Sequence, residues 1–150
     1  MNTKIWTVFL MLMSSLLVAC GGSAVTIKNI AEFPNAKEIA QSDSQLFDSI
    51  SKLAKTSTAL QMVVNAKEKK IYRLDKNAAW ADVRLFYEKS MDSAEWQLVP
   101  PTAALLEQVK LPNDISAYNV ELWIRGNQSV GIVHVTSSQS TELFVGLNAP

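Results

Sequence analysis

Three apolar runs close together near the end of the chain leave it little freedom in how it folds. Residues 120–125 (VELWIR), 129–136 (SVGIVHVT) and 141–147 (TELFVGL) are separated only by three- and four-residue links, with turns at Gly126-Asn127 and at Ser137-Ser138-Gln139. Links this short cannot carry the crossover that parallel strands require, and their residues are turn formers. The three runs must therefore pair as an antiparallel meander. Alternation puts Val120, Leu122 and Ile124 on one face and Glu121, Trp123 and Arg125 on the other. In the last run Leu143, Val145 and Leu147 share a face.

Helical spacing dominates the middle of the chain. Ser42 with Gln45 fits a capping box, and Leu46, Phe47, Ile50, Leu53 and Ala54 follow as one stripe, which predicts a helix over about 44–56. Thr56-Ser57-Thr58 weakens this helix, and residues 59–64 could continue it or begin a strand before a charged turn at 65–70. A strand is favoured, because Ile71-Tyr72-Arg73-Leu74 beyond that turn alternates. Asn77 is placed to cap a second helix, whose stripe is Trp80, Val83, Tyr87, Met91 and Ala94, widened by Phe86. Residues 96–99 form a short strand stopped by Pro100-Pro101, and Thr102 is expected to cap a short helix to 109. Phe33-Pro34-Asn35-Ala36 reads as a turn, since a proline keeps the residue before it out of the helical region. The expected class is α+β: a mainly antiparallel sheet with a C-terminal three-stranded meander and helices packed on one face.

The first twenty residues follow different rules. After Lys4, residues 5–18 are uncharged and mostly apolar. As a helix this run spans about 21 Å, short of the roughly 30 Å hydrocarbon core, so it reads as an export signal rather than a permanent span. Leu17-Val18-Ala19-Cys20, with Gly21-Gly22-Ser23 behind it, resembles the lipobox of bacterial lipoprotein precursors. That resemblance implies a cut before Cys20, a diacylglyceryl group on its sulfur and acylation of the new amino terminus. The residue types suit that chemistry. A thiol is a strong nucleophile, small Ala19 leaves the backbone open, and the glycines keep the following segment extended. Two or three acyl chains anchor stably, because each buried methylene contributes about 0.8 kcal/mol. Gly21 after the cysteine resembles outer-membrane sorting, facing the periplasm, if the envelope is Gram-negative.

Residues 1–19 are thus expected to be a signal peptide, 20–31 a lipidated tether, and 32–150 a single domain. Ten extended residues of tether reach at most about 36 Å. Removing the signal takes away only Lys4 among the charges, leaving a nearly neutral chain, since the whole has 14 basic and 14 acidic side chains. This balance argues against a nucleic-acid partner and leaves the membrane, through acyl chains on Cys20, as the expected contact. From Lys69 to Leu147 the chain also resembles small, mostly uncharacterised bacterial lipoproteins. The residues that carry this are Ile71-Tyr72-Arg73-Leu74, Trp80, Phe86-Tyr87, Trp96 and a strand holding Trp123. The resemblance implies a small α+β domain and no known activity.

Motifs for chemistry are sparse. With one cysteine and one histidine, neither a disulfide framework nor a cysteine-built zinc site can be drawn, and no glycine-rich phosphate loop is visible. We therefore expect no metal, no cofactor and no catalytic set. His134 shares a strand face with Val130, Ile132 and Thr136, and reads as a structural histidine of the sheet rather than a general base. Glu88, Asp92 and Glu95 flank a helix beside Lys89 as a solvated charged face. Lys67, Lys69 and Lys70 suit either anionic headgroups or an ordinary charged turn. Glu121, Trp123 and Arg125 are the candidate binding face. An aromatic between an acid and a base can stack on a glycan or anchor an envelope protein, unless a helix covers it. The reading is a non-enzymatic accessory or binding domain, with an inhibitor or ligand-binding module for an envelope enzyme or glycan as the alternative.

Overall fold

The computed structural model describes residues 24–100 and 110–149. The signal sequence, Cys20 and the helix expected over 102–109 lie outside the described residues. Six antiparallel strands, β1 (Lys37–Ile39), β2 (Glu68–Leu74), β3 (Gln97–Leu98), β4 (Ala117–Arg125), β5 (Gln128–Thr136) and β6 (Thr141–Asn148), form one sheet in the order β1-β2-β6-β5-β4-β3. The helices are α1 (Phe47–Ala54), α2 (Thr58–Val64) and α3 (Trp80–Ser93). The class is α+β, and β4, β5 and β6 form the expected meander.

Local chemistry sets the turns of that meander. Arg125 pairs with Gln128 across a two-residue turn whose first member, Gly126, has φ +59°. Glycine adopts this backbone without steric cost, and the turn matches the right-handed twist of the flanking strands. At the other end the Ser137 amide donates to the Ser140 carbonyl at 2.9 Å, while Ser137 Oγ accepts from the amides of Gln139 and Ser140. The Phe33–Ala36 turn is as expected: Asn35 takes φ +60°, which its short polar side chain tolerates, and the Ala36 amide donates to Phe33.

The layering differs from the expected one. The helices cover both faces of the sheet. On one face α1 and α2 pack Ile50, Leu53, Leu60 and Val63 against Ile71, Leu122, Val133, Val135 and Phe144. On the other, α3 packs Val83, Tyr87 and Met91 against Tyr72, Trp123, Val130, Ile132, Leu143 and Val145. The central strands are therefore apolar on both sides, which is why β5 and β6 are buried almost end to end.

Residues 58–64 form a helix rather than the expected strand. Ser57, which reads as a break, is its N-cap and accepts the Leu60 amide at 3.4 Å. Ala59, Leu60, Val63 and Val64 then face the sheet at helical spacing. Two valines in a short run suggest a strand, but tertiary packing decides here. Gly131 and Gly146 are cross-strand partners. A methyl group added at either would collide with α2: with the Val63 side chain at Gly131, and with the Val63 backbone and Ala66 at Gly146. The glycine pair is the slot into which α2 settles.

Three smaller corrections concern helix starts and the tether. The Ser42–Gln45 capping box does not form. Instead Ser44, ahead of the N-cap Leu46, accepts the Phe47 amide at 2.9 Å and donates its own proton to the fully buried Glu142. Glu142 also accepts the Gln45 amide at 3.0 Å, with Arg73 Nη2 at 3.7 Å, so α1 is fastened to β6 by a satisfied carboxylate. Asn77 does not cap α3, whose N-cap is Ala79; it lies in a turn closed by the Ala78 amide on Asp75. Finally, the chain joins the domain well before residue 32. Ile27 and Ile30 are buried in the α3-side core, and the Val25 backbone makes two bonds with the Gln128 amide side chain, at 3.0 and 2.8 Å.

Candidate functional site

Glu121, Trp123 and Arg125 share a face of β4, as alternation requires, but that face lies under α3. Trp123 is 2% exposed and belongs to the core, so its ring offers no stacking platform to a glycan or partner. Arg125 is at the margin, 3.9 Å from Glu95. Glu121 is largely covered and its Oε1 meets Arg84 Nε at 2.8 Å. The same Arg84 nitrogen holds Glu88 at 2.8 Å, one helical turn along α3. The expected charged face of α3 is thus partly a bridge to the sheet. Arg84 was not legible as a site residue; its only signal is the four-residue spacing to Glu88.

His134 completes this polar seam. It is the cross-strand partner of Asn119, two residues from Glu121 and on the same face, so Glu121 and His134 are diagonal neighbours. The imidazole is 2% exposed, lies 5.8 Å from the Trp80 ring, and its Nε2 donates to the Ala78 carbonyl at 3.1 Å in the neutral tautomer this acceptor selects. This is the structural histidine expected from the strand pattern. Its Nδ1 and Glu121 Oε2 are both buried without a hydrogen-bond partner among the described residues, so the two do not bond to each other.

Burial moves both groups toward their neutral forms. The Glu121 carboxyl is pushed up to about 7 by desolvation, with Arg84 pulling it down and Glu88 pushing it up. Desolvation lowers His134, against the Ala78 carbonyl, which raises it. The seam can hold or release a proton near neutral pH. Among the described residues no group of three His, Cys, Asp or Glu is arranged to hold a metal ion.

The lysines separate into distinct settings. Lys70 is bound by Glu32 at 2.6 Å and Glu38 at 3.0 Å, which raises its pKa and lowers that of Glu32. Tyr72 donates to the same Glu32, and burial takes its phenol to about 12. Lys69 lies across the Phe47 ring, 5.4 Å from its centroid, and donates to the Val64 carbonyl at 3.0 Å. Lys67 is exposed in the α2–β2 link. Compared with protein-family models, with curated proteins and with solved structures, the chain finds no match.

Proposed function

We propose that this protein is a lipid-anchored envelope lipoprotein whose folded domain serves as a non-enzymatic accessory or binding module close to the bilayer. The carrying observation is Cys20, the only cysteine, standing at the one position where the resemblance to the lipobox requires it. The attachment of Val25 to Gln128 adds a dimension to this reading. Five residue steps from Cys20 to Val25 reach about 18 Å at most, half of what a tether to residue 31 would allow. The lipid would hold the domain by the end of the sheet where β5 begins, with the Gly126–Asn127 turn beside the anchor. Among the described residues no helix is long and apolar enough to cross a membrane, so the acyl chains carry the anchoring in this account.

Mass spectrometry of the amino-terminal peptide from membrane-extracted protein tests the reading. A peptide starting at Cys20 and carrying the added mass of a diacylglyceryl group is the expected result. An unmodified Cys20 thiol in a cleaved chain would overturn it. The alternative of a ligand face centred on Trp123 loses its support, because that ring is interior.

A further inference from the structure

A groove of about 600 Å³ runs between α1 and α2 on the face away from α3, within the size range of small-ligand sites. One α1 face, Phe47, Ser51, Ala54 and Lys55, forms one wall. Gln61, Val64 and Asn65 of α2, with Lys69 of β2, form the other. Phe47, Ala54 and Val64 make the lining partly apolar. Its charges are all positive: the nearby acids Asp48 and Glu68 do not line it, and Glu68 is engaged by the Ile27 amide at 3.0 Å. Lys69 spends one N–H on Val64 and keeps two for a ligand. Ser51 also lines the groove, but its Oγ is buried, with no hydrogen-bond partner among the described residues. Two amides and two ammonium groups around an apolar strip suit an anionic head on an apolar stem.

Position identifies the source of such a molecule. Asn65 and Lys69 lie beside the start of β2, whose Glu68 pairs with Leu147 near the end of β6, which in turn pairs with the start of β5. That is the end of the sheet where Val25 is fastened, and Lys28 and Lys67 are exposed there as well. Resting on the lipid-anchor reading above, we infer that the α1–α2 groove takes the headgroup of an anionic phospholipid from the leaflet that carries the anchor. Lys55 and Lys69 would pair with the phosphate, and Phe47 would lie along the glycerol or first methylenes.

The test uses the full lipidated protein with a photo-crosslinking residue replacing Gln61, and a control with the same residue at Gln139 in the β5–β6 turn at the far end. Each is reconstituted in vesicles of phosphatidylcholine alone or mixed with phosphatidylglycerol, irradiated, and analysed by mass spectrometry. A phosphatidylglycerol adduct at 61 and not at 139 is expected. Lys55→Gln should reduce it roughly fivefold, the weight of one ammonium beside an anionic surface. Lys69→Gln, which also loses the Val64 contact, is checked for an unchanged unfolding midpoint before its adduct is compared. No adduct at 61, equal capture of phosphatidylcholine, or equal adducts at 61 and 139 would each overturn the groove as an anionic-lipid site while leaving the anchor intact. Palmitate labelling of the same preparations separates the two failures, because unlabelled protein overturns the anchor and the groove proposal together.

Discussion

At the scale of single residues, two positions hold conformations or protonation states that a substitution should expose. Glu95 follows α3 with φ +63°, while the Trp96 amide reaches back to Met91 at 3.0 Å and the Glu95 amide to Asp92 at 3.1 Å. This is a helix stop that ordinarily uses glycine. Glu95→Gly should stabilise the domain by about 0.5–1 kcal/mol, since relief of the left-handed backbone exceeds the entropy glycine costs and the Arg125 contact is long. Chemical denaturation would measure it, and a destabilised variant would show that the Arg125 contact outweighs the strain. Glu121 gives a pH signature. Its folded value of about 7 lies above the ordinary 4.5, so its contribution to stability is complete below 4.5 and is lost as pH rises through about 7. His134 acts oppositely: its folded value lies below 6.5, so its contribution is present above 6.5 and is lost as pH falls through the lowered value. Glu121→Gln should therefore remove a decline in unfolding free energy between about pH 4.5 and pH 7. An unchanged pH slope would mean that the carboxyl is not desolvated.

At the scale of elements, α2 shows most clearly where sequence and packing part. Its valines and its Thr56-Ser57-Thr58 prelude suit a strand locally, and only the Gly131–Gly146 pair on distant strands explains why a helix lies there. Gly146→Ala should cost about 1–3 kcal/mol, because its methyl would meet the backbone of Val63, which cannot step aside as a side chain can. A neutral result in thermal unfolding would mean that α2 rides higher than described. On the opposite face, Tyr87→Ala should cost about 3–5 kcal/mol, as expected for an aromatic that is 1% exposed under α3. An unchanged midpoint would take α3 off the sheet. The α3 stripe and the meander were legible because their periodicities are local and their links too short for alternatives. The two-sided layering was not, since β5 and β6 are apolar on both faces and alternation alone does not say what covers each. The capping role of Ser44 was hidden because its partner, Glu142, lies 98 residues away. The seam under α3 was half legible: alternation placed Glu121 and Trp123 together, while Arg84 could be assigned only once α3 was seen to cross that face.

At the scale of the whole molecule, the proposed lipid at Cys20 would lie only five residues from Val25, whose backbone is bound by Gln128. Under the proposed anchor the domain would sample only a narrow shell of the envelope and would present one end of its sheet to the bilayer. Without Lys4, the one charge of the proposed signal, the 14 basic and 14 acidic side chains of the full chain leave a near-neutral domain that would have little reason to remain at a membrane without the lipid. Palmitate labelling of wild type and Cys20→Ser in cells, each fractionated into membrane and soluble pools, tests this most directly. The account predicts label in the membrane pool of the wild type only. Cys20→Ser should be unlabelled and persist as uncut precursor held by residues 5–18. Equal labelling of the two chains, or an unlabelled wild type released as a cleaved domain, would contradict it.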